Sequence, residues 1–185
     1  MTALIRQAAI AVLVMSASAD ASPTTETARH LRLDREHSFT IPPAPADAFP
    51  LFEPVGEKCW AENWHPVFAS PEDALLHDGS VFTVAGHGPD GTALPSVWTV
   101  SRYDPPRLIE YRNVLPGFRA TQVTVRCDPV DGGQTRVMVR YVYHGLSAAG
   151  DQYLATITPE AFRANIDGWG AAIRAWLGRG TPATP

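Results

Sequence analysis

The stretch TPEAFRANIDGWGAAIRAWLG, Thr158 to Gly178, decides the fold. Its apolar residues Phe162, Ile166, Trp169, Ile173, Trp176 and Leu177 recur at spacings of four, three, four, three and one, which draws one stripe along a helix. Arg163, Asp167 and Arg174 fall off that stripe. Thr158 suits the N-cap, Pro159 the first helical position and Glu160 the positive end of the helix dipole, while Gly178 stops the run. Nineteen residues from Pro159 to Leu177 span roughly 28 Å. Such a helix needs an apolar surface of similar length to lie on.

The preceding chain supplies one. Val81–Ala85, Ser96–Tyr103, Arg107–Val114, Arg119–Pro129 and Gln134–Leu146 read as consecutive strands, separated by Gly86–Gly91, Asp104-Pro105-Pro106, Pro116-Gly117 and Asp131-Gly132-Gly133. In the last strand Val137, Val139, Tyr141 and Tyr143 share one face, and Arg136 and Arg140 the other. The sheet is therefore apolar on one side only, and the C-terminal helix is the element available to cover it. An earlier strand, Glu36–Ile41, ends at Pro42-Pro43. The fold class is α+β, a curved antiparallel sheet of about six strands wrapped around a long C-terminal helix. Between the first strand and the meander the pattern predicts a short helix over Ala46–Phe52, kinked at Pro50. It predicts a structured loop over Val55–Ser70 and a helical turn at Pro71-Glu72-Asp73. A second short helix is expected over Ala148–Ile157.

A 185-residue chain that is 45% apolar has room for one domain with a real core. Fifteen basic against nineteen acidic residues give a net charge of −4 with no basic block, which argues against nucleic acid and against a polybasic membrane patch. At the N-terminus Arg6 precedes the apolar run Ala8–Met15 and the small residues Ser16-Ala17-Ser18-Ala19, the pattern of a secretory signal cleaved before Asp20 or after Ala21. The run is too short to span a bilayer, so no stable membrane insertion is expected. The organisation is then a signal peptide (1–19), a flexible segment (20–35), one domain (36–178) and a disordered tail (179–185), with a periplasmic or secreted location. Cys59 and Cys127 are the only cysteines. Export makes a bridge chemically possible, whereas the apolar strand face that holds Cys127 suits a buried free thiol.

The order of elements, strand, short helical region with a Trp-bearing loop, meander and long helix, resembles the helix-grip fold of the SRPBCC superfamily, the START-like, polyketide cyclase-like and lipid-transport-like domains. The resemblance covers about Arg35 to Leu177. It rests on Ile41–Phe52, Gly56-Glu57-Lys58-Cys59-Trp60, Trp64–Pro66, Trp98–Pro105, Ile109-Glu110-Tyr111, Thr135–Leu146 and Gly168-Trp169. None of these is a catalytic motif. The resemblance implies a deep apolar pocket between sheet and helix, used by different members for lipids, sterols, hormones or polyketides.

On that reading the ligand is a small apolar or aromatic molecule, and Trp64, Trp98, Tyr111, Tyr141, Tyr143, Ile166, Trp169 and Ile173 are the candidate lining. His65, in an irregular loop beside Trp64, is the candidate general acid/base if the pocket belongs to a cyclase or aromatase-like enzyme. A carrier is the reading preferred over the enzyme, because paired catalytic groups are absent. Glu110 and Arg112 share a strand face expected to lie outside, opposite Ile109, Tyr111 and Asn113. No metal site is expected, since Cys59, His65, His87 and Cys127 lack close paired spacing. The glycines at 86, 88 and 91 are not followed by a helix, so no phosphate loop or cofactor is expected. Gly145-Leu146-Ser147 lacks the form of a serine nucleophile elbow.

Overall fold

The structure, a computed structural model, describes residues 29–88 and 90–180. The expected signal peptide, most of the expected flexible segment, and 181–185 of the expected tail lie outside the described residues.

Seven strands form one antiparallel sheet: β1 (Arg32–Ile41), β2 (Val67–Phe68), β3 (Val81–Val84), β4 (Ser96–Asp104), β5 (Leu108–Leu115), β6 (Arg119–Val130) and β7 (Gln134–Gly145). Their order across the sheet is β1-β7-β6-β5-β4-β3-β2, so the sheet stays open. The sequence pattern predicts about six strands. The additional one, β2, is a two-residue strand paired with β3 inside the expected loop, too short to show an alternation. β1 begins at Arg32 instead of Glu36, because its ladder to β7 runs from Arg32 opposite His144 to Ile41 opposite Thr135. Cross-strand bonds hold this polar start. Arg140 Nε and Nη2 donate to the two carboxylate oxygens of Asp34 at 2.8 and 2.6 Å. Just before β1, the Leu31 amide donates to Asp151 at 2.8 Å. The end of the segment expected to be flexible is thus tied down by polar contacts that leave no hydrophobic signature.

The concave face carries the core. Ile109, Val125, Val137 and Val139 are essentially inaccessible, with Phe39, Ile41, Phe49 and Phe52 packed among them. Across it lies α4 (Pro159–Leu177), capped at Thr158, whose hydroxyl accepts from the Ala161 amide at 3.1 Å. Phe162, Ile166, Gly170 and Ile173 are its buried residues, and Trp169, Trp176 and Leu177 of the predicted stripe are partly buried against the core. Gly170 permits a close approach to β1: a Cβ there would stand 2.8 Å from Phe39 Cδ2. Before α4 comes α3 (Ala148–Ala155), capped by Ser147 and packed on β7.

β1 and β2 are opposite edges of the sheet, so residues 42–66 must cross its whole width. They do so as α1 (Pro45–Ala48), a 3-10 turn (Phe49–Phe52) and α2 (Pro54–Glu57), each with a proline in its first turn. The single kinked helix expected at Ala46–Phe52 is thereby divided. This crossing is what roofs the site.

Candidate functional site

Between the sheet, the crossing segment and the middle of α4 lies a cavity of about 160 Å³. The sheet supplies Trp98 from β4, Tyr111 from β5, Val123 from β6 and Tyr141 from β7; α4 supplies Trp169; α2 and the loop after it supply Glu57, Trp60, Ala61 and Trp64. Tyr111 pairs with Val123 and Val123 with Tyr141, and Trp98 stands two residues before Val100, the partner of Tyr111, on the same face of β4.

Three of the aromatic residues have polar ends committed elsewhere. Trp60 Nε1 donates to the Leu51 carbonyl at 2.7 Å, Trp64 Nε1 to the Pro54 carbonyl at 2.8 Å, and the Tyr111 hydroxyl to the Phe52 carbonyl at 2.8 Å. Together they anchor the backbone of residues 51–54 by binding the carbonyls of Leu51, Phe52 and Pro54. What these side chains offer the cavity is therefore ring surface. Neighbouring rings meet near right angles: Trp64 and Trp98 at 80° with centroids 5.3 Å apart, Trp98 and Tyr111 at 83° and 5.8 Å, Tyr141 and Trp169 at 71° and 6.3 Å. Trp60 lies 5.4 Å from Trp169 and closes the set.

Glu57 is the one charged residue in this lining. It is 7% exposed, and no protein donor hydrogen-bonds its carboxyl among the described residues. Burial without a compensating partner pushes its pKa well above the ordinary carboxylate value of 4.5. Tyr111 and Tyr141 are pushed up by the same burial, with Glu57 adding to both. Its placement depends on Gly56, where a Cβ would fall 1.8 Å from the Pro50 carbonyl oxygen. Only glycine lets α2 pack so closely on the 3-10 turn. The Trp98 indole N–H is also enclosed without an acceptor.

A wider cleft of about 420 Å³ adjoins the cavity across Ala61, Trp64 and Trp98, which line both. Arg119 reaches into it from the start of β6. Its Nη1 donates to Asn113 Oδ1 at 3.0 Å and Thr121 Oγ1 at 2.8 Å, and its guanidinium lies 5.8 Å from the centre of the Tyr153 ring. Alone, the aromatic cavity is smaller than a typical small-molecule site of about 300–1,000 Å³; with the cleft it enters that range.

Of the eight expected lining residues, the fold brings five together around the cavity: Trp64, Trp98, Tyr111, Tyr141 and Trp169. Ile166 and Ile173 are wholly buried in the packed core instead, because α4 sits so close to β1 that no hollow remains along that part of its stripe. Tyr143 lines a separate cleft under the α3–α4 junction with Tyr153 and Phe162. His65 is exposed and lines none of these cavities: the chain turns Trp64 inward and His65 outward. Glu110 faces outward, accepting from Ser101 and Gln122 at 2.8 and 2.7 Å, with Arg112 at 3.5 Å. Both cysteines are free. Glu57 and Trp60 are the functional candidates that sequence reasoning missed. The signal available was Gly56 before Glu57 in a segment rich in Trp and Pro, whose meaning depends on where that segment crosses the sheet.

The family described as polyketide cyclase / dehydrase and lipid transport matches residues 32–173. A search of curated proteins finds no match. Among solved structures, the chain is similar to Mll3558 from Rhizobium loti, with 16% identity, TM-score 0.57, and coverage of 78% of this chain and 99% of that one. It is similar to TTHA0849 from Thermus thermophilus, with 12% identity, TM-score 0.58, and coverage of 80% and 100%. It is also similar to the di-domain ARO/CYC StfQ from the steffimycin biosynthetic pathway, with 16% identity, TM-score 0.56, and coverage of 80% of this chain and 52% of that one. At these identities the likeness is one of fold.

Proposed function

This chain belongs to the polyketide cyclase, dehydrase and lipid-transport family of the SRPBCC superfamily, and from that premise we propose that it holds a small apolar or aromatic molecule in the Trp-lined cavity. The observation that carries this reading is the convergence of six aromatic side chains, from four elements and the loop after α2, on one cavity roofed by the crossing segment. Simple two-layer packing needs apolar filler; it does not need four tryptophans arranged around a void. Ligands larger than the cavity extend past Trp64 and Trp98 into the adjoining cleft. The N-terminal signal pattern supports an exported carrier.

Native mass spectrometry of protein purified from its own host tests the reading. The expected result is a co-purified molecule whose release changes tryptophan fluorescence and whose binding weakens at least tenfold on Trp169→Ala. A protein that takes up no apolar ligand from a broad panel, with unchanged fluorescence, would overturn it.

A second reading, an enzyme, is favoured by Glu57 and no longer by His65. Burial holds the Glu57 carboxyl protonated above the ordinary carboxylate range, which suits it to donate a proton as a general acid. If the cavity turns over its ligand, Glu57→Gln should lower the rate about 10²-fold or more while His65→Ala leaves it unchanged.

A further inference from the structure

The cavity combines two features that point to one ligand chemistry. Its single carboxylic acid, Glu57, has no protein donor among the described residues, and of the six aromatic residues around it Trp60, Trp64 and Tyr111 have their N–H or O–H groups committed to the 51–54 backbone. A buried acid is normally matched by an arginine, a lysine or several amide donors. Here the lining contains none of these; Arg119 lies in the adjoining cleft and binds Asn113 and Thr121. No cation lines this cavity, so a cation beside Glu57 would have to come with the ligand.

We propose that the ligand bears an alkylated ammonium group, which sits in the box of Trp60, Trp64, Trp98, Tyr141 and Trp169 against the Glu57 carboxylate. This rests on the reading that the cavity is the ligand site and names the chemistry it selects. Aromatic faces and a carboxylate create potential of the same sign, so the box is complementary to a cation with an apolar shell. A strongly hydrated primary ammonium would give up its water and find too few acceptors in return, whereas N-methyl or N-alkyl groups make apolar contact with the rings. Burial alone favours the neutral acid, and a cation beside it restores the carboxylate. At about 160 Å³ the cavity suits a head group of trimethylammonium size, and the rest of the molecule has the adjoining cleft to occupy.

The test compares choline with 3,3-dimethylbutan-1-ol, which has the same shape and hydroxyl but a quaternary carbon in place of the charged nitrogen. Tryptophan fluorescence or calorimetry on the whole chain at neutral pH reads both. The expected result is choline binding at least about tenfold more tightly than the alcohol. Glu57→Gln should then remove most of the choline preference while leaving the alcohol's affinity within about threefold. The comparison in the unaltered protein requires no variant, so it stands even if the substitution disturbs folding. Equal binding, or tighter binding of the alcohol, would overturn the cation inference and leave the apolar-ligand reading in place. No binding of either at millimolar concentration would likewise overturn the cation inference, and failure of the apolar panel as well would overturn both readings.

Discussion

Glu57 is the residue on which the site's chemistry and its cost both turn. Because burial raises its pKa in the folded chain above the ordinary 4.5, the folded state binds more protons than the unfolded state between those two values. Its contribution is fully present below about pH 4.5 and is lost as pH rises toward the folded value. Glutamine has the shape of the neutral acid and does not titrate. In the absence of ligand, Glu57→Gln is therefore expected to match the parent protein in acid and become the more stable form above about pH 4.5. The gap should grow by up to about 1.4 kcal/mol per pH unit until Glu57 ionises in place. Melting curves between pH 4 and 9 check this, and parallel curves would refute it. Cys127 makes a second residue-scale case. Burial pushes its thiol up to about 12, so a thiolate-selective reagent at pH 8 should leave it unmodified in the native protein. Denatured without reductant, the chain should then show two free thiols.

Among the elements, the two glycines on opposite sides of the site make contrasting predictions. Gly56→Ala drives a Cβ to within 1.8 Å of the Pro50 carbonyl, where backbone has to move. Lifting α2 from the 3-10 turn should destabilise the fold by about 1–3 kcal/mol and weaken ligand binding, since Glu57 and Trp60 travel with it. Gly168 lies on the exposed side of α4, where an added methyl would have nothing within 4 Å, so Gly168→Ala should stabilise the helix, by about 0.8 kcal/mol, and spare binding. Chemical denaturation of both variants, with ligand titration of each, separates the roles. Gly170 belongs to neither group: its added side chain would press on Phe39, so enlarging it disturbs the α4–β1 contact before it fills any cavity.

For the whole molecule, the remaining proposal is export. N-terminal sequencing of protein recovered from the periplasm or medium of the native host should begin at Asp20 or Ser22. Recovery of the full-length chain in the cytosol alone would refute it. No helix among the described residues is long and apolar enough to cross a membrane. The meander and α4 were legible beforehand because their information is local: a period of two along β7 and a stripe near 3.6 along Pro159–Leu177 state directly which side must be covered. The start of β1 was not, because Arg32–Arg35 is polar and is held by ladder bonds and Asp34–Arg140 across 106 positions. The site was legible only in part. Five aromatic residues of the cavity could be named from their places in loop, strands and helix, but that Ile166 and Ile173 would be packed away from the void depends on how near α4 comes to β1, and so on Gly170 meeting Phe39. Sequence by itself determined the element order, the one-sided sheet and the helix that covers it, since each follows from side-chain periodicity against solvent. Tertiary structure alone decided that Glu57 enters the cavity while His65 leaves it, because a segment crossing from one sheet edge to the other has no period of its own and is held by indole-to-carbonyl bonds within itself and by the distant Tyr111 phenol.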